Sequence, residues 1–160
     1  MATIPVRYEF RQSFRVPARV AYEWLTDYRP SDGDLLDYRM RRRIDPIAPG
    51  SLILTDTTWP NGRPREIRRL VHLDPARLAW TNTHVSGPFL HSQHHYRIVA
   101  DGPRRSHLEF RAFRIERIPG RASAKKIAER VRANRQEDAR VWRRRFAPAL
   151  ERAAGRRRRR

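Results

Sequence analysis

Apolar and polar residues alternate with a period of two near the start of the chain. Tyr8, Phe10, Phe14 and Val16 share one parity, whereas most positions between them carry charged or polar side chains. Such alternation is typical of a half-buried β-strand, because successive side chains of a strand point to opposite faces. The pattern predicts a first strand over Tyr8–Val16.

The apolar spacing becomes helical after Pro17, a residue that suits the first turn of a helix. Apolar residues then recur at helical spacing as far as Tyr28, namely Val20, Trp24 and Leu25. A short second helix is predicted over Ser31–Tyr38, with Ser31 or Asp32 as its N-cap.

From residue 40 to 116 the chain consists of short apolar runs separated by turn-forming residues. Asn61-Gly62 is a strong hairpin signal, because a type I′ turn requires positive φ at both central positions. Closely spaced strands with such turns form an antiparallel meander. Six strands are predicted: Met40–Ile47, Leu52–Trp59, Arg65–Leu73, Leu78–Val85, Leu90–Ala100 and His107–Glu116.

The last part of the chain, residues 122–154, has the pattern of a long helix. Its second half carries an apolar stripe at i+3 and i+4 spacing, formed by Ala139, Trp142, Phe146, Leu150 and Ala153. Pro148 has no amide hydrogen, so it should kink or divide this helix. The predicted order is strand, two short helices, six strands and a long helix, in one domain over residues 1–154.

Positive charge is the unusual feature of the composition. The chain has 36 Lys and Arg against 17 Asp and Glu, a net charge of +19. Residues 155–160 are predicted to be a disordered poly-Arg tail, since five consecutive arginines after Gly155 cannot pack a core. A protein with this much positive charge attracts anionic polymers and membrane surfaces non-specifically. A nucleic-acid-associated protein remains an alternative, although no zinc finger, aromatic RNA motif or GXXG loop occurs.

Several chemistries lack their sequence signatures. The chain has no cysteine, which excludes disulfides and thiolate chemistry. No P-loop, dinucleotide fingerprint or nucleophile elbow occurs, so no cofactor is expected. His91, His94 and His95 do not form a metal site on a regular strand, because His94 faces away from the other two. No apolar run has the length of a signal peptide or a membrane span, and a cytoplasmic protein is expected.

Four segments together resemble the START-like (SRPBCC) superfamily, which includes polyketide cyclase/dehydrase and lipid-transport proteins. They are the strand-to-helix opening at Phe14–Tyr28, the Leu73–Leu78 hairpin, the segment Tyr96–Gly102 and the late helix with Trp142, Phe146 and Leu150. The resemblance covers residues 8–154. It implies an α+β helix-grip fold, in which a seven-stranded antiparallel sheet and a long C-terminal helix enclose a cavity. Superfamily members bind sterols, lipids, quinones or hormones, and a minority catalyse cyclisation.

The turns also predict which strand residues lie opposite each other. The Asn61-Gly62 turn pairs residues whose numbers sum to 123, and matching apolar faces extends the register across the later hairpins. The predicted pairs are Leu54 with Arg69, Asp56 with Ile67, Arg69 with Asn82, Ile67 with His84, Trp80 with Tyr96, Asn82 with His94, His84 with Ser92, Tyr96 with Phe110, Ile98 with Leu108 and His94 with Ala112.

One inner face results, mostly apolar but interrupted by polar side chains. The predicted cavity residues are Leu54, Asp56, Arg69, Trp80, Asn82, His84, Ser92, His94, Tyr96, Ile98, Phe110 and Trp142. The polar members have two interpretations. They either orient the oxygen-bearing end of a ligand, or lie solvated at the open end of the sheet and pair among themselves, Asp56 with Arg69.

Two functions follow from this interpretation. The first is a binding or carrier protein for a small, largely hydrophobic ligand, which is not an enzyme. The alternative is a cyclase- or dehydratase-like enzyme, in which His84 or His94 is the general acid/base and Arg69 stabilises an enolate oxygen.

Overall fold

A curved antiparallel sheet of seven strands forms the body of the protein. The computed structural model describes residues 1–36 and 39–157. The strands are β1 (Ala2–Phe14), β2 (Met40–Ala48), β3 (Ser51–Thr58), β4 (Arg65–Asp74), β5 (Ala79–His84), β6 (Gln93–Ala100) and β7 (Ser106–Ile118). Their spatial order is β1-β7-β6-β5-β4-β3-β2, so β1 and β2 are the edge strands.

The helices lie on the inner face of the sheet. They are α1 (Ala18–Thr26), a 3-10 helix (Pro30–Leu36), α2 (Ala124–Val141), a π-helical turn (Trp142–Phe146) and α3 (Ala147–Arg157); a further 3-10 turn, Pro60–Gly62, connects β3 to β4. The hydrophobic core lies between sheet and helices, and Leu54, Leu108 and Leu150 are fully buried in it. This arrangement confirms the predicted α+β helix-grip architecture. No helix in the described ranges is both long and apolar enough to cross a membrane.

The first strand begins six residues earlier than predicted. Ile4 and Val6 are buried and continue the alternation of Tyr8 and Phe10. Pro5 argues against a strand in this part of the sequence, because proline has no amide hydrogen to donate to a neighbouring strand. Proline is tolerated here because β1 is an edge strand, and one side of an edge strand has no neighbour that needs an amide donor.

The C-terminal helix is interrupted next to Pro148, as predicted. The amide of Ala147 donates to the carbonyl of Trp142, five residues back, and α3 starts at this point. Pro148 is therefore the second residue of α3. Proline has no amide hydrogen and its ring crowds the preceding turn, so a regular α-helical ladder cannot continue through it and the wider π-helical turn lies directly before it.

Some predicted boundaries are wrong. The helix α3 continues through Gly155 to Arg157, so these residues are not part of a disordered tail, and residues 158–160 lie outside the described ranges. Its alanines and arginines are good helix formers, which offset the cost of one glycine. The second helix is a 3-10 helix ending at Leu36, and the rest of its predicted span, residues 37–38, lies outside the described ranges.

The register of three hairpins matches the prediction, and that of one differs. Arg69 lies opposite His84, not Asn82, because the β4–β5 turn contains four residues instead of two. The side chain of Asp74 accepts a hydrogen bond from the Arg77 amide (3.1 Å), and Leu78 has a left-handed φ of 51°. A shift of two positions leaves every side chain on its predicted face.

Candidate functional site

A cavity of about 370 Å³ lies between the inner face of the sheet and the C-terminal helix. Its walls are largely apolar and aromatic, and one side carries charged and imidazole groups. The lining residues are Leu36, Asp56, Thr58, Ile67, Arg69, His84, Phe89, His94, Tyr96, Phe110, Arg114, Asp138, Val141, Trp142 and Phe146. A combination of apolar walls with a few convergent polar groups is typical of small-molecule sites.

Most of the predicted cavity residues line this space. They are Asp56, Arg69, His84, His94, Tyr96, Phe110 and Trp142. Trp80 and Asn82 line a smaller adjoining space of about 140 Å³, which shares Asp56 and Arg69 with the larger one.

Three predicted residues do not line either space. Leu54 and Ile98 share the inward parity but are covered by their neighbours in the core, at 0% and 3% exposure. Ser92 lies just before β6, and its hydroxyl accepts a hydrogen bond from the amide of Ile115 (2.9 Å). Side-chain parity therefore predicts the inward face, but packing in the core keeps some inward residues away from open space.

A buried ionic cluster closes one side of the cavity. The carboxylate of Asp56 accepts two hydrogen bonds from Arg42, at 2.7 and 2.9 Å, and a further one from Arg69. Arg42 also donates to Asp32 at 2.6 Å. Burial alone would raise the pKa of Asp56, but the hydrogen bond with Arg42 and the charge of Arg69 hold it below its usual range. The charge of Arg69 is therefore compensated by the protein itself.

Two histidines lie side by side at the centre of the polar side. The ring centroids of His84 and His94 are 5.5 Å apart. Burial, and secondarily the charge of Arg69, lower the pKa of His84 to about 4. Burial and the charge of Arg114 lower the pKa of His94 well below its usual value. Both imidazoles are therefore neutral at pH 7.

A second polar chain links the C-terminal helix to the sheet. Oδ2 of Asp138 on α2 accepts hydrogen bonds from Tyr8 (2.6 Å) and from Arg114 (2.7 Å). The same guanidinium donates from Nε to Nε2 of His94 at 3.3 Å. Arg114 thus joins α2, β1 and β6 around one wall of the cavity.

Three residues of the site were not predicted from the sequence, namely Arg42, Arg114 and Asp138. Arg114 has the same parity on β7 as Phe110 and Ala112, so extending the register by one more pair would have placed it inward. Asp138 lies one turn before Trp142 on the helix face that meets the sheet. Arg42 opposes Asp56 directly on the neighbouring strand, a pair that the Ala48-Pro49-Gly50 turn could have indicated.

Comparison with known proteins identifies the fold through structure alone. No family model matches the sequence, and no curated protein matches it significantly. The chain is similar to the Zhui aromatase/cyclase from Streptomyces sp. R1128, with a TM-score of 0.72 at 16% identity over 96% of both chains. It is also similar to a START superfamily protein from Mycobacterium smegmatis, with a TM-score of 0.65 at 14% identity over 94% of this chain and 97% of the other.

A third similar structure is norcoclaurine synthase from Thalictrum flavum, in complex with dopamine and hydroxybenzaldehyde. Its TM-score is 0.62 at 15% identity, over 94% of this chain and 87% of the other. Structural similarity at such low sequence identity shows a shared fold. It does not show a shared function, because one fold supports many unrelated functions. Together with the seven-stranded sheet and the C-terminal helix, these comparisons show that the chain has the START-like helix-grip fold.

Proposed function

We propose that this protein binds a small, largely apolar ligand with an aromatic or cyclic framework in the cavity under the C-terminal helix. The observation that carries the proposal is the composition of the wall. Tyr96, Phe110, Trp142 and Phe146 line one space of about 370 Å³. Trp142 stacks on Phe146 with centroids 4.7 Å apart, so flat rings are already presented to a ligand.

The charges around the cavity favour a neutral ligand over an ionic one. Arg69 and Arg114 each already contact a carboxylate, Asp56 and Asp138 respectively. The charged residues that line the cavity therefore sum to zero. A ligand carboxylate would have to compete with these internal pairs and lose its hydration, which is costly in a buried site.

Binding is expected to depend on the open volume of the cavity. Ile67→Trp should fill part of the space and weaken retention of a co-purified small molecule at least several-fold. Ile53→Trp, at a β3 position of the opposite parity, is the matched control and should leave retention unchanged. Native mass spectrometry of protein purified from its own host measures both. Equal retention by the two variants, or no small molecule on any of them, would contradict the proposal.

A cyclase- or dehydratase-like enzyme is the second candidate. The observation that favours it is that Arg69, His94 and Asp138 face one cavity, in a fold shared with an aromatase/cyclase. The low pKa values of both histidines weigh against it, since a general base works best with a pKa near the operating pH. If the protein turns over a cyclisable ligand, His94→Gln should abolish turnover, and if it is a carrier the same change should leave retention nearly unaltered.

A further inference from the structure

The hydrogen bond between Arg114 and His94 determines which nitrogen of the imidazole carries the proton. A guanidinium has five donors and no acceptor. Because Nε of Arg114 donates to Nε2 of His94 at 3.3 Å, Nε2 must offer its lone pair. In a neutral imidazole the other nitrogen, Nδ1, then holds the hydrogen.

The arrangement around His94 is fixed from several sides. Arg114 is only 16% exposed, and its NH2 group is anchored by Asp138, whose oxygen also accepts from Tyr8. Burial and the charges of Arg114, His84 and Arg69 hold the pKa of His94 well below its usual value, so the ring stays neutral at pH 7. The rings of His84, Tyr96 and Phe110 pack around it and hold its orientation.

We infer that His94 presents Nδ1–H to the cavity as a fixed hydrogen-bond donor, and that the ligand places an uncharged acceptor oxygen, such as a carbonyl, against it. The inference rests on the proposed ligand-binding function. His94 lines the cavity, and no group in residues 1–36 and 39–157 accepts a hydrogen bond from its Nδ1. A ligand that covers this nitrogen without offering an acceptor would leave the donor buried and unpaired, which is costly.

A pair of ligands that differ in one oxygen tests the donor. 1-Tetralone carries a carbonyl on the same bicyclic framework as tetralin, which has none. The affinity of each compound is first corrected for its partition coefficient between water and hydrocarbon. After this correction, wild-type protein should bind 1-tetralone on the order of tenfold more tightly than tetralin. His94→Phe should remove this preference. His94→Gln should retain it, since the amide of glutamine both accepts from Arg114 and donates to the ligand. His95→Phe, on the opposite face of β6, should retain it as the matched control.

The outcomes separate this inference from the proposed function. If both compounds bind with equal corrected affinity, or if the preference survives in His94→Phe, the donor role is wrong while ligand binding stands. If neither compound binds and no ligand co-purifies, the proposed function fails and the inference fails with it.

Nitrogen NMR of the unliganded protein supplies a readout that depends on neither ligand nor variant folding. Two-bond proton–nitrogen correlations distinguish a protonated Nδ1 from a protonated Nε2 in each neutral histidine. At pH 7 the Nδ1 of His94 should have the shift of a protonated nitrogen and Nε2 that of an unprotonated one. The reverse assignment would overturn the inference even if 1-tetralone binds.

Discussion

Asp56→Ala should lower the free energy of unfolding by about 3–5 kcal/mol. Asp56 is 5% exposed and is hydrogen-bonded to both Arg42 and Arg69. Its removal leaves the guanidinium of Arg42, whose side chain is 7% exposed, with Asp32 as its remaining carboxylate partner. Arg69 loses the carboxylate that it contacts in the cluster. Breaking a buried ion pair by removing one partner costs this much because the charge that remains is less well compensated. Urea denaturation at pH 7 measures the loss.

Asp45→Ala is the matched control for this prediction. Asp45 also pairs with an arginine on β2, Arg43, but both side chains are about half exposed or more. An exposed pair contributes little, and the control should cost less than about 1 kcal/mol. Equal small losses for the two variants would mean that the cluster is hydrated and does not organise the wall of the cavity.

Stability should fall steeply as the pH drops from about 6.5 to 4. The pKa of His84 is about 4 in the folded protein against 6.5 in the unfolded chain, and that of His94 is also lowered. In this window the unfolded chain binds more protons than the folded one, so the folded state is favoured above pH 6.5 and loses that advantage as the pH falls. His84 alone accounts for roughly 3 kcal/mol of this change.

Denaturation midpoints at pH 7 and pH 4.5 measure this dependence. In His84→Gln the difference between the two midpoints should shrink, even if the variant is less stable at both pH values. His95→Gln, on the convex face, should keep the wild-type difference. The loss expected from Asp56 occurs at lower pH, because its pKa lies below the usual carboxyl range. If His84→Gln and wild type lose equal stability, His84 is not buried as a neutral imidazole.

The sequence predicted the inward face of the sheet well, because parity is robust to small errors of register. In the β4–β5 hairpin the predicted opposition of Arg69 and Asn82 was wrong by two residues, yet both side chains stayed inward. Only a shift of the strand register by an odd number of residues would have placed them on the outer face of the sheet. The long turn could not be predicted from apolar matching, since it depends on the left-handed conformation of Leu78 and on the side chain of Asp74.

The composition of the polar side was less predictable. It depends on contacts between segments far apart in the chain, such as Tyr8 with Asp138 and Arg114 with His94. Hairpin reasoning pairs only consecutive strands, whereas β1 pairs with β7 across most of the chain. The contact of Asp138 with Arg114 also depends on how α2 is rotated about its axis over the sheet. The apolar stripe of the helix predicts the face that meets the sheet, and Pro148 predicts the interruption, but neither gives the rotation.

The central claim is that the space under the C-terminal helix is a ligand site, and amide NMR during titration with 1-tetralone tests it most directly. The largest shift changes should occur at cavity residues of the inner face, such as His94, Tyr96 and Phe110. Residues of the opposite parity on the same strands, such as His95 and Arg111, should change less. Shift changes concentrated on the convex face, or none at millimolar ligand, would contradict it.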